Sequence, residues 1–370
     1  MAASRGRAAA AAYPNARLTL QAYARAQGTD AGGGLTSSRR TPGSRARLLA
    51  QLAAACVVLG AGCSLNRFAV NKVGDALASS GTTFAADDDP ELVGQAIPFS
   101  LKLIESLLGT APEHRGLLLA AASGFTQYAY AFVQQQADSL DDLDPVRAAE
   151  LRARARRLYL RARDYGLRGL ATRQAGFAAR LRADPRATVR ATTKPEVPLL
   201  YWTAAAWGAA MAISKDVPDL IADQPVVEAL IDRALELDEG FGDGAIHGFL
   251  ISYELSRQGA PGDPTERARA HFDRVVSLTK GQLASPYVAL AEGVSVRRQD
   301  RGEFESLLRQ ALAIDPEATP EFRLVNVIMQ RRARWLMSRA DQLFLDPAAA
   351  PPGGPPAAPP EIDAADRSQP

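Results

Sequence analysis

Three histidines, His114, His247 and His271, and two cysteines, Cys56 and Cys63, are the only imidazole and thiol groups in 370 residues. Both cysteines lie before residue 64, so the 307 residues that follow hold no disulfide, no zinc–thiolate site and no catalytic thiol. The histidines form no HExxH pair, and no GxSxG elbow occurs, so zinc-assisted and serine hydrolysis lack their usual residues. Asp138, Asp141, Asp142 and Asp144 make an acidic run. It lacks the alternating acids, central glycine and distal glutamate of a calcium loop, and capping of a helix that starts at Pro145 accounts for it better. Gly240-Phe241-Gly242-Asp243-Gly244 has the glycines of a phosphate loop without the Lys-Ser/Thr that would reach the phosphates. It reads as a turn that ends one helix, with Asp243 capping the next. These residues predict a protein that is not an enzyme, binds no metal and needs no cofactor.

Chemistry of a binding kind has better candidates. Tyr201, Trp202 and Trp207 cluster on a segment otherwise rich in alanine. Small residues let a neighbouring helix approach, and the rings could then line a groove for an apolar ligand or a partner helix; packing inside a core is the plainer alternative. His247, one turn beyond Asp243, faces either such a groove or a hydrogen-bonded place in the core. Tyr201, Trp202, Trp207, Asp243 and His247 are therefore the candidate groove residues. Twelve arginines crowd the stretch from Arg147 to Arg186, which reads as a single helix. Few aromatic residues interleave with them for base stacking. A solvated face paired with acids of a neighbouring helix or of a protein partner is expected, with contact to anionic lipid headgroups as a lesser alternative.

The net charge of +2 conceals an asymmetry. Eight arginines and one acid lie before residue 48, leaving 35 basic and 40 acidic residues for the rest of the chain. The basic balance belongs to the leader, and the remainder makes no general electrostatic case for nucleic acid. In that leader, Arg39, Arg40, Arg45 and Arg47 precede the apolar run Leu48–Gly62, which ends in Gly60-Ala61-Gly62-Cys63-Ser64. Charge, a run of about 15 apolar residues and small residues before a cysteine have the order of an export signal, and the run is short of the roughly 20 residues that span a bilayer. The end of the run resembles a bacterial lipobox, although Gly60 stands where leucine is usual. Cys63 is the expected lipidation site and mature N-terminus, giving stable anchoring through more than one acyl chain. Residues 1–62 are thus a leader, of which 1–38 exceed what a signal needs and are consistent with a start site called too early. Ser64, in place of an aspartate that retains some lipoproteins in the inner membrane, mildly favours the outer membrane.

These groups must be held by helices. Alanine and arginine dominate, while aromatic residues are 6% of the chain, which favours helix over strand. Residues 63–86 read as a tether, 87–345 as the helical domain and 346–370 as a disordered tail, the last holding eight of the 24 prolines from Pro347 onward. Asp87-Asp88-Asp89-Pro90 has an N-cap acid and a first-turn proline. Glycine and proline breaks then recur every 15 to 40 residues or so, as helical hairpins require. A weak repeat aligns Arg233–Asp238, Arg274–Thr279 and Gln310–Asp315. Ala268, Phe272 and Val275, and again Phe304, Leu308 and Ala311, fall at the packing positions of a tetratricopeptide's second helix. The predicted fold is all-α, with tetratricopeptide-like stacked helical hairpins of α-solenoid type that present a concave surface.

Several segments in order resemble the T-component of tripartite ATP-independent periplasmic (TRAP) transporters. They are Gly124–Val133 (GFTQYAYAFV), Arg157–Tyr165 (RLYLRARDY), Tyr201–Ala210 (YWTAAAWGAA), Gly242–His247 (GDGAIH), Ser285–Glu292 (SPYVALAE), and Arg332–Leu336 (RARWL) through Leu343-Phe344. The resemblance implies a periplasmic, membrane-anchored lipoprotein. It also implies a homotrimer with a central pore or groove that docks one solute-binding P-component per protomer and passes an apolar or organic-acid solute. A general tetratricopeptide lipoprotein scaffold for envelope assembly is the alternative, and a secreted hydrolase a more distant one. No nucleic acid is implied as a partner.

Overall fold

The computed structural model describes Lys72 and residues 84–345, and every regular element among them is helical. The leader, Cys63, nearly all of the expected tether and the proline-rich tail lie outside the described residues. The helices are α1 (Pro90–Thr110), α2 (Arg115–Leu140), α3 (Pro145–Ala171), α4 (Phe177–Ala183), α5 (Pro185–Arg190), α6 (Val197–Ala212), α7 (Gln224–Leu237) and α8 (Phe241–Tyr253). They continue with α9 (Pro264–Thr279), α10 (285–298), α11 (Arg301–Ala313) and α12 (Arg323–Ser338). Two of them contain a π-helical turn, Ala129–Gln134 in α2 and Ala291–Ser295 in α10.

Helix starts follow from local chemistry. Asp89, Asp144, Asp184 and Asp263 each accept a backbone N–H of the first turn, from Leu92, Arg147, Ala187 and Thr265, at 2.9, 3.0, 3.0 and 2.6 Å. Each is followed by proline, which lacks the N–H that would otherwise go unpaired there. Asp144 is the one member of the acidic run that caps, which corrects the expectation for the rest. Asp138 pairs with Arg332, Asp141 with Arg152 and Asp142 with Arg339. The arginine-rich stretch is likewise not one helix. It breaks after Ala171, restarts beyond Gly176 in the left-handed region (φ +69°), and breaks again at Asp184.

The core organises around α6, which is apolar on all sides and packs against α2, α3, α7 and α8. Its closest neighbour is α3, and two glycines make the approach possible. A Cβ on Gly166 would stand 2.1 Å from the Thr203 hydroxyl and 3.3 Å from its Cα; one on Gly169 would stand 2.6 Å from Leu199. Gly166→Ala is therefore expected to lower stability by about 1–3 kcal/mol through overpacking. Thr203→Ala in the same chain should recover part of that loss, because the first clash is with the hydroxyl. Urea unfolding followed by circular dichroism measures both.

After α6 the helices pair as α6/α7, α8/α9 and α10/α11, and the first helix of each pair also touches the first helix of the next. The aligned repeat segments Arg233–Asp238, Arg274–Thr279 and Gln310–Asp315 fall at the ends of α7, α9 and α11. Of the six expected packing positions, Ala268, Val275, Phe304, Leu308 and Ala311 are buried and Phe272 is half-buried. One apolar cluster runs from α1 to α8, and a second from the end of α8 to Phe344. The last helix returns to the first: Arg331 of α12 pairs with Glu91, and Arg323 donates to the Ala86 carbonyl at 2.9 Å.

Candidate functional site

The five candidate groove residues do not converge on one groove. Tyr201 packs edge-on against Trp202 (4.9 Å between centroids) and at a tilt against Phe241 at the start of α8 (5.4 Å). Tyr201 is buried and Trp202 half-buried, and burial pushes the Tyr201 phenol up to about 12. Trp207 lies further along α6, fully buried, with Arg163 of α3 4.9 Å over its ring and its indole N–H unpaired. Of the two readings of this cluster, core packing describes Trp207.

Asp243 does not cap α8. Gly242, Asp243 and Gly244 form a left-handed run with φ of 56°, 54° and 89°. The Asp243 side chain is exposed and makes no hydrogen bond among the described residues. Gly244 is needed twice over, since a Cβ there would meet Val275 of α9 at 2.8 Å in a backbone conformation that side chains disfavour. The run aims α8 so that His247 meets α9, and the buried His247 and half-buried His271 share an Nδ1···Nδ1 hydrogen bond of 2.8 Å. The core reading of His247 is the one observed; its partner, 24 residues away, carried no signal of its own.

That bond needs one ring nitrogen protonated and the other bare. Glu239 stands 3.8 Å from His247 Nε2, and Glu254, Arg257 and Arg267 act on His271. Desolvation, the largest cause for both, holds the two imidazoles below their ordinary value; the His271 ring lowers His247 further, while Glu239 opposes. The folded protein therefore takes up these protons at lower pH than the unfolded chain. Their contribution to stability is complete above an ordinary imidazole pKa of about 6.5 and is lost as pH falls through that value toward the depressed folded ones. Stability measured by urea titration should fall more steeply from about pH 7 to pH 5 in the native chain than in His271→Asn.

A buried polar constellation lies elsewhere among the described residues, where both π-helical turns meet α12. Arg332, 7% exposed, donates from Nε to Glu292 Oε2 at 2.9 Å, from Nη2 to the other Glu292 oxygen, and from Nη1 to Asp138 Oδ2 at 3.1 Å. Its guanidinium lies 5.3 Å over the Trp335 ring. Glu292 sits inside the α10 π-turn, and Asp138 follows the α2 π-turn. Tyr130, from that α2 turn, and Gln135 just beyond it both approach the Met329 sulfur at 4.0 Å, while Tyr159 donates to Gln134 at 2.6 Å. Burial opposes the charge on Arg332, but the Glu292 hydrogen bonds and the neighbouring acids hold it firmly protonated. Burial raises Asp138 in spite of Arg332. Wide π-turns recur at functional positions because the extra residue re-aims side chains; here they turn an acid and a phenol toward α12. Nothing in the residues of α2 and α10 marks a π-turn, and Asp138 and Arg332 are 194 residues apart.

Between the α8/α9 and α10/α11 pairs lies an open cleft of about 410 Å³, lined among others by Arg269, Phe272, Leu290, Glu303, Leu307 and Gln310. Arg269 and Ser295 both bind Glu303, the latter at 2.7 Å, and Phe272 packs edge-on against Tyr287. The cleft combines an apolar floor with fixed polar walls, which suits a side chain or short segment of a partner. Among the described residues, no three of His, Cys, Asp and Glu come together as metal ligands.

Comparison with known proteins places these features in a family setting. A family model described as TRAP transporter T-component matches residues 86–344. An uncharacterized protein of Treponema pallidum (strain Nichols) is 30% identical over 313 residues, covering 79% of this chain and 96% of that protein.

Proposed function

The chain belongs to the TRAP transporter T-component family, a transport accessory family and not an enzyme family, and we propose that it is the periplasmic lipoprotein subunit that docks solute-binding P-components. The match that carries this reading covers the helical body from residue 86 to residue 344. Membership implies association with a membrane-bound transport system. In the proposed arrangement Cys63 carries the acyl anchor, residues 63–86 tether the body to the outer membrane, and the pairs α6/α7, α8/α9 and α10/α11 are tetratricopeptide-like units. The cleft between the last two pairs receives a segment of the P-component. The outward residues Leu92, Phe99 and Leu103 of α1, exposed at 57%, 74% and 37%, supply an apolar face for contact between protomers of a trimer.

The test is light scattering on the full chain together with co-purification of its TRAP solute-binding protein. The expected result is a trimer that retains the binding protein, with Phe99→Asp shifting the mass toward the monomer. A monomer that retains no solute-binding protein overturns the reading.

A further inference from the structure

A second open cleft, of about 380 Å³, lies on the outer face of α3, and its lining is Arg157, Leu160, Arg161, Asp164, Tyr165 and Arg168. Positions 157, 161 and 168 fall on one side of a helix, so three guanidinium groups share this face. Two of them are held before any ligand arrives. Arg161 lies 5.4 Å over the Phe125 ring, Phe125 stacks on Tyr165 at 5.9 Å with the planes 11° apart, and Arg168 lies 5.2 Å over Tyr165. The result is an ordered Arg–Phe–Tyr–Arg stack. The Tyr165 hydroxyl donates to Glu105 of α1 at 2.8 Å, and Arg168 donates to the Pro112 carbonyl at 3.0 Å, which fixes the stack to two neighbouring segments. Guanidinium groups ordered in advance lose less entropy when they bind.

The charge in this cleft is not cancelled from within. Arg157 makes no ion pair among the described residues, and the partner of Arg168 is a neutral carbonyl. Arg161 lies 3.5 Å from Glu105, but Lys102 holds that same carboxylate. The one lining acid, Asp164, is engaged at 2.8 Å by Arg163, which sits over Trp207 on the buried side. A single guanidinium fork satisfies a carboxylate, whereas a phosphate offers three oxygens and matches a set of three. We propose that the α3 cleft binds a phosphate oxyanion, carried either by an anionic phospholipid headgroup or by a free phosphate compound. This site is separate from the P-component docking proposed above and does not depend on it.

The experiment is calorimetric titration of the full chain at low salt with inorganic phosphate and, separately, with dihexanoyl phosphatidylglycerol below its micellar concentration. Binding of either probe is expected, and Arg157→Gln and Arg168→Gln should each weaken it about tenfold, as for loss of one charge-assisted hydrogen bond. Lipid binding that phosphate displaces assigns the site to a headgroup; binding of phosphate alone assigns it to a soluble compound. Arg180→Gln, an exposed arginine of α4 outside the cleft, should change nothing. No heat with either probe, an equal loss in Arg180→Gln, or insensitivity to both cleft variants overturns the proposal. Tighter binding of a glutamate-rich peptide than of phosphate also overturns it, in favour of a carboxylate-bearing partner. Circular dichroism checks that each variant is folded.

Discussion

Arg332→Ala is expected to lower the stability of the chain by about 3 kcal/mol, the lower end of the cost of breaking a buried ion pair. The loss comes from what remains. Asp138, with its side chain 19% exposed, and Glu292 would lose the guanidinium that now binds both. Glu292, whose side chain is 37% exposed, recovers some hydration, which keeps the figure at the lower end. Arg332→Met with Asp138→Asn and Glu292→Gln should restore most of the stability, because no uncompensated charge is then left in the junction. Denaturant unfolding of the two variants side by side measures this. If the single and triple variants are equally unstable, packing of the Arg332 stem over Trp335 is the main term and the charges are not.

The junction joins distant parts of the chain. Arg332 belongs to α12, Asp138 to α2 and Glu292 to α10, so its loss should loosen α12 from the first hairpin as well as from the last. Arg331–Glu91 and Arg339–Asp142 make the same connection at the surface, where solvent screens the charges and each pair contributes little. Breaking the buried pairing should therefore cost more than losing either surface pair.

Trp207→Ala should cost about 3–5 kcal/mol, as for truncation of any fully enclosed large aromatic side chain. The ring is completely buried, and its removal leaves a void beneath the Arg163 guanidinium that the crowded α3–α6 crossing is poorly placed to fill. Trp202→Ala, by contrast, acts on a half-buried ring and should cost clearly less. Thermal unfolding of the two variants tests this order. A Trp207→Ala chain as stable as the native one would show that the ring lines a space that tolerates its loss, which is what a groove would do and a core would not.

Much of the fold was legible because its punctuation is local. Asp89-Pro90, Asp144-Pro145, Asp184-Pro185 and Asp263-Pro264 start helices for reasons contained in two residues, and the structure caps all four with the aspartate. The buried set Ala268, Val275, Phe304, Leu308 and Ala311 was legible for a similar reason, since a helix with one buried face repeats its apolar positions. The site was harder. The α6 segment is apolar on every side, so its periodicity could not say which aromatic residue faced where. The break at 172–176 was hidden because arginines continue through and beyond it, at 173, 180, 182 and 186, while the left-handed turn rests on Gly176 alone. The Asp138–Arg332 and His247–His271 contacts join residues that only the folded helices bring together, and no local pattern encodes them.

Crosslinking in living cells, read by mass spectrometry, tests the central claim most directly. The account predicts crosslinks from the face of α9, α10 and α11 to a TRAP solute-binding protein. Crosslinks from that face only to cell-wall or envelope-assembly proteins would contradict it.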